Sequence, residues 1–159
     1  MNDVIKTLLY SYPSFEGVLK ATEKLVYFKA VSSYKNCNKT IKQMEEILEL
    51  NDRASRILRA KNMIDELIEG LSDEERKLIE YKYFHYSMGD DFDFTSRKYF
   101  RRQLKLERKI AARFLSLGID DKWFKRNLWD VYFLRAKYLR LSAQGNSGSV
   151  KNAARDRNL

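Results

Sequence analysis

A chain of 159 residues, 44% of them hydrophobic, has the composition of a single globular domain or of a domain with an appended helical arm. One cysteine, Cys37, excludes an internal disulfide framework, and with the single His85 it excludes the usual Cys/His zinc site and points to an intracellular protein. The formal net charge of +9 is unevenly placed, −3 over residues 1–94 against +7 over residues 95–119, an asymmetry that nucleic-acid binders show and that solubility does not require.

One proline and six glycines leave long periodic stretches unbroken, which predicts an all-α fold, a compact multi-helix bundle. The first helix is expected over Asp3–Tyr10, from Val4, Ile5, Leu8 and Leu9, with Pro13 as the break after it. A second runs from Ser14 to about Tyr34 with Val18, Ala21, Leu25, Phe28 and Val31 as its apolar stripe. After a turn at Asn36–Lys39, Thr40–Glu69 forms the longest periodic stretch, with Asn51 its one point of interruption. Its candidate core is Ile41, Met44, Leu48, Ile57, Leu58, Ile64 and Leu67, and Gly70 closes it. These 70 residues read as an N-terminal helical scaffold.

Ser72 and Glu75 stand at capping-box spacing and open a short helix to about Phe84. HYSMGDDFDF, residues 85–94, breaks the periodicity and reads as a loop, with Thr95 or Ser96 capping the helix that follows. That helix ends near Gly118. Asp120 and Asp121 can cap a further helical region to Leu141, either one helix or two meeting near Leu128, packed through Trp123, Phe124, Trp129, Tyr132 and Phe133. Residues 142–159 are small, polar and aperiodic, the composition of a flexible, disordered tail.

Residues 96–115 carry the functional signal. At about 100° per residue, Tyr99, Phe100, Leu104, Leu106, Ile110, Ala111, Phe114 and Leu115 fall on one half of the cylinder. Arg97, Lys98, Arg101, Arg102, Lys105, Arg108, Lys109 and Arg113 fall on the other, and Glu107 is the one acid in the sequence between Arg97 and Arg113. Such a helix can lie against a core and present its cations to an anionic partner.

Leu71-Ser72-x-x-Glu75-Arg76-x-Leu78-Ile79-x-Tyr81-Lys82-Tyr83-Phe84, then a loop, then Thr95-Ser96-Arg97-x-Tyr99-Phe100-Arg101-Arg102, resembles region 4 of bacterial sigma-70-type factors. It is also similar to phage late-gene activators of the ArpU and RinA type. The resemblance spans residues 71–117 and implies a helix-turn-helix unit over 71–118 whose last helix enters the major groove of double-stranded DNA. Residues 85–94 are too few for the full intervening helix and its turn, so the motif is degenerate. Carried over, Ser96, Arg97, Lys98, Arg101, Arg102 and Lys105 face DNA, the arginine forks suiting guanine edges and Ser96 a phosphate oxygen. Lys105, Arg108 and Lys109 run beside the backbone and add salt-dependent affinity. The implied role is sequence-specific transcription regulation of phage or mobile-element genes, with RNA polymerase and a second copy of the chain as further partners.

Other readings are weaker. Asp90, Asp91 and Asp93 lack the ligand spacing and terminal glutamate of a calcium loop. His85 has no nucleophile or carboxylate pattern beside it, and no phosphate loop or metalloprotease helix is present, so neither catalysis nor a cofactor is expected. Gln103 and Glu107 fall among the apolar positions and are expected to bond internally at the core edge. No stretch approaches the ~18 apolar residues of a membrane span and the start lacks a secretion signal, which leaves a cytoplasmic protein as the expectation. The rival to DNA binding is a helical interaction module whose basic face docks an acidic protein.

Overall fold

The computed structural model describes residues 1–33, 40–85 and 97–155, with side chains at 33, 40 and 145–155 left aside. Within them the chain is all-α, with six α-helices and no strand: α1 (Asp3–Ser33), α2 (Thr40–Glu69), α3 (Asp73–Ile79, continued by a π-helical turn, Glu80–Phe84), α4 (Arg97–Ser116), α5 (Asp121–Asn127) and α6 (Tyr132–Arg155). They form two compact units, one of Met1–Tyr10 with Lys77–Leu159, the other of Ser11–Arg76. The partings therefore fall inside α1 and α3.

Pro13 does not end the first helix; α1 runs through it. The ring removes one N–H, so the carbonyl of Leu9 lacks its usual donor, a loss worth about 3 kcal/mol in a helix interior. Burial offsets it: Val4, Ile5, Leu8 and Leu9 before the proline and Phe15 after it are all buried, and each such side chain contributes about 1.5–3 kcal/mol. The next carbonyl, that of Tyr10, accepts a hydrogen bond from Lys137 Nζ at 2.9 Å. That ammonium lies 5.9 Å from the centre of the Tyr10 ring, and burial, with Arg140 adding to it, holds its pKa below the ordinary lysine value.

In the Ser11–Arg76 unit, α1 and α2 lie antiparallel. Tyr12 Oη donates to Asp65 at one end of the pair, and Lys29 Nζ donates to Glu46 toward the other. Asp65 also takes Lys61 at 2.8 Å. The inward row of α1 is Phe15, Leu19, Thr22, Val26 and Ala30, and that of α2 is Gln43, Ile47, Leu50, Ala54, Ile57 and Ile64. Thr22 remains apolar in effect because its hydroxyl donates to the Val18 carbonyl at 2.9 Å.

The stripe expected to be buried is the neighbouring one, and most of it is exposed: Ala21, Leu25, Phe28 and Val31 on α1, Ile41, Met44, Leu48 and Leu58 on α2. Val18 is half-buried, whereas Ile57, Ile64 and Leu67 are buried as expected. Each helix carries two overlapping apolar rows, and the tyrosine–aspartate and lysine–glutamate contacts choose which one turns inward. Asn51 does not interrupt α2.

The local signals elsewhere hold. Gly70 follows α2, Ser72 and Glu75 make the reciprocal cap at 3.1 and 3.3 Å, and Asp120 caps α5 by accepting from the Trp123 N–H at 2.7 Å. Leu128 to Val131 separate α5 from α6, and Phe124, Trp129 and Tyr138 pack ring against ring across that break at 5.2–6.3 Å. The backbone of α6 stays helical to Arg155, into the segment whose composition reads as tail. The loop reading of 86–94 and the caps at Thr95 and Ser96 lie outside the described residues.

α4 ends on a Schellman turn. The Ile119 N–H reaches the Phe114 carbonyl at 3.0 Å, and the Gly118 N–H reaches that of Leu115 at 2.9 Å, with Gly118 at φ 71°. No atom would obstruct a Cβ at Gly118, so Gly118→Ala isolates backbone strain. A loss of about 1 kcal/mol in unfolding free energy is expected, measured by urea denaturation; an unchanged midpoint would mean that the left-handed backbone at this position carries no cost.

Candidate nucleic-acid interface

α4 is held by one row of side chains. Leu106, Ile110 and Phe114 are almost fully buried, Gln103 is buried beside them, and Tyr99, Arg102, Glu107 and Ala111 flank the row at intermediate exposure. Phe100, Leu104 and Leu115, expected in the core, are 61%, 51% and 71% exposed. A helix resting on its neighbours hides a stripe little more than 100° wide, and the apolar half of α4 is broader than that. α4 therefore has a core row, a cationic face, and an exposed apolar edge.

Glu107 is the polar anchor of the core row. Its carboxylate accepts from Lys82 Nζ, from Tyr83 Oη at 3.3 Å and from Gln103 Nε2 at 3.5 Å. Lys82 and Tyr83 come from the π-helical turn after α3, whose wider winding sets Tyr83 and Phe84 side by side in the core. His85 follows in the left-handed conformation, φ 56°. Tyr10 of α1 meets Tyr83 edge-on at 4.9 Å and stacks with His85 at 5.9 Å. Burial pushes the Glu107 carboxyl up, but the Lys82 hydrogen bond and charge, with Gln103 and Tyr83 donating as well, outweigh it and hold the group below its ordinary value. Burial and the charge of Glu107 push the Tyr83 phenol far up.

The acid is thus turned inward. On the other side Arg97, Lys98, Arg101, Lys105, Arg108, Lys109 and Arg113 are exposed, and Arg102 is half-buried at the edge of the core row. Seven of the eight residues proposed from sequence to meet DNA therefore belong to one helix, six of them exposed. Ser96 lies outside the described residues. Lys82 and Tyr83, which orient α4, were not legible as its partners, because the pairing crosses 25 residues of sequence and a turn of unusual winding.

The acidic residues Asp90, Asp91 and Asp93 lie outside the described residues, among which no cluster of three or more metal-ligating side chains occurs. No described helix is long and apolar enough to cross a membrane. No protein-family model, curated protein or solved structure matches the chain.

Glu107→Gln removes the charge that Lys82 and Tyr83 bond to while keeping the shape. A loss of about 1.5–3 kcal/mol in stability at neutral pH is expected, the range for hydrogen bonds to charged groups. Because the folded carboxyl titrates below its ordinary value of 4.5, its contribution is complete above that pH and disappears as pH falls through the lower folded value. Thermal unfolding followed against pH should therefore show an acid-side decline that is shallower in the glutamine variant; parallel curves would remove Glu107 from this role.

Proposed function

We propose that the chain is a non-enzymatic, cytoplasmic DNA-binding protein that regulates transcription, with the cationic face of α4 as its contact with double-stranded DNA. The single observation that carries the reading is the sorting of charge on α4: seven exposed cations on one side, and the one acid half-buried on the other, bonded to Lys82. Duplex DNA is a dense line of phosphates, and a helix of this kind displaces condensed counterions along its length. The first turns, with Arg97, Lys98 and Arg101, are where side chains of a groove-bound helix reach base edges. Lys105, Arg108 and Lys109 then lie along the phosphates. The likeness of residues 71–117 to sigma region 4 and to phage late-gene activators supports transcription of phage or mobile-element genes as the setting, with RNA polymerase as a protein partner.

A specific observation also favours a second reading. Phe100, Leu104 and Leu115 form an exposed apolar edge on the same helix, and a mixed basic and apolar surface suits an acidic protein partner without nucleic acid.

Electrophoretic mobility shift with random duplex, single-stranded DNA and RNA at two salt concentrations separates the two. Duplex binding that weakens steeply with salt is expected. Replacing Arg101, Lys105 and Arg108 by Ala should lower the slope of log K against log salt by roughly 0.9 for each phosphate no longer neutralised. A folded triple variant that binds duplex as tightly as the parent would overturn the DNA reading; binding to no nucleic acid at low salt would favour the second.

A further inference from the structure

We propose that Phe100 and Leu104 read the 5-methyl groups of thymine in the major groove, beside Arg97 and Arg101 at guanine edges. The inference rests on the DNA reading of α4 and adds the bases that the helix prefers. Both side chains stand within the first eight residues of α4 and are 61% and 51% exposed, where a groove-bound helix brings side chains to base edges. At about 100° per residue, Arg97, Arg108 and Arg101 lie about 20°, 40° and 60° from Leu104 on its solvent side. Phe100 lies about 40° from it on the other side, and Ile110, in the middle of the core row, about 120°. The apolar pair therefore borders the arginine stripe directly. Because helical side chains lean toward the N-terminus, Leu104 overlies the turn that holds Phe100 and Arg101. Tyr99 meets the Phe100 ring edge-on at 5.4 Å, which restricts the ring before any base is met.

The chemistry of the groove selects the partner of these two residues. Its floor is lined by hydrogen-bond donors and acceptors with one apolar group among them, the methyl of thymine. An apolar side chain set over a phosphate or a polar base edge strips water from it and offers no bond in its place. A phenyl ring and an isobutyl group carried into the groove thus have one matching contact. Arg97 and Arg101 beside them are exposed, and their forks pair with O6 and N7 of guanine. The favoured duplex accordingly sets thymine close to guanine. Duplex DNA also presents phosphates and methyl groups within one groove, which matches cations and apolar side chains carried side by side on one helix.

The test uses the full chain to select preferred sequences from a random duplex library. Binding to the selected duplex is then compared with binding to the same duplex carrying uracil in place of thymine, a change that removes only the methyl groups. Fluorescence anisotropy should show about fourfold weaker binding for each methyl lost from a contact, the worth of one buried carbon. In a variant combining Phe100→Ala and Leu104→Ala, both at exposed positions and so compatible with folding, the thymine and uracil duplexes should bind alike. Its slope of log K against log salt should match that of the parent, because the cations remain. A parent that binds duplex without distinguishing thymine from uracil, a selected sequence without thymine, or a preference that survives in the double variant would each overturn this proposal and leave DNA binding standing. Binding to no duplex at low salt would remove the DNA reading and this inference with it.

Discussion

The rotation of α4 about its own axis is fixed by Glu107. Apolar burial is not directional, and α4 has apolar residues around half of its circumference. Turned so that Phe100, Leu104 and Leu115 lay inward, it would hide comparable area. The carboxylate would then be lost to Lys82, Tyr83 and Gln103, which bond it now, and those groups would be left in a half-buried site without their acceptor. Leaving buried polar groups unsatisfied costs about 1–3 kcal/mol each, so the orientation that satisfies them prevails. The same rotation sends Arg101, Lys105 and Arg108 into solvent.

A second constraint acts on every long helix here: one neighbour covers one stripe. α1, α2 and α4 each bury a single row and leave another apolar row uncovered, Leu25–Phe28–Val31, Ile41–Met44–Leu48 and Phe100–Leu104–Leu115. Hydrophobic transfer rewards covering these rows at about 25 cal/mol per Å², and association with a partner is one way to do it. Exposed cations stand beside the row on α4, the setting for the anionic partner proposed above.

Much of the fold was legible where it is local. Capping chemistry at Ser72, Glu75 and Asp120, and the glycine stops at Gly70 and Gly118, depend on residues within a turn of one another and were readable as such. Pro13 was not, since whether a proline breaks a helix depends on buried side chains on either side and on Lys137, which lies 127 residues away at the Tyr10 carbonyl. Nor was the choice between overlapping rows, because Leu25 and Val26 are equally apolar and only tertiary partners such as Asp65 and Glu46 decide which faces inward. The cationic face of α4 was legible in full over Arg97–Arg113, since it follows from helical period alone. Its orienting contact was not, because nothing in the sequence links Lys82 to Glu107.

The same periodicity makes α4 an unfavourable helix in isolation. Arg97 and Arg101, Lys98 and Arg102, Arg101 and Lys105, Lys105 and Lys109, and Lys109 and Arg113 are all like-charged pairs four residues apart, each costing roughly 0.2–0.5 kcal/mol on a helix surface. A face that served only to keep the protein soluble would intersperse acids and gain from the same spacing. Here the one acid between Arg97 and Arg113 lies on the opposite half of the helix, half-buried and bonded to Lys82. Under the DNA binding proposed above, phosphates set along this face would offset that repulsion. On that proposal an anion bound along α4 stabilises the helix that binds it, while the Leu106, Ile110 and Phe114 row together with Glu107 holds the helix in place.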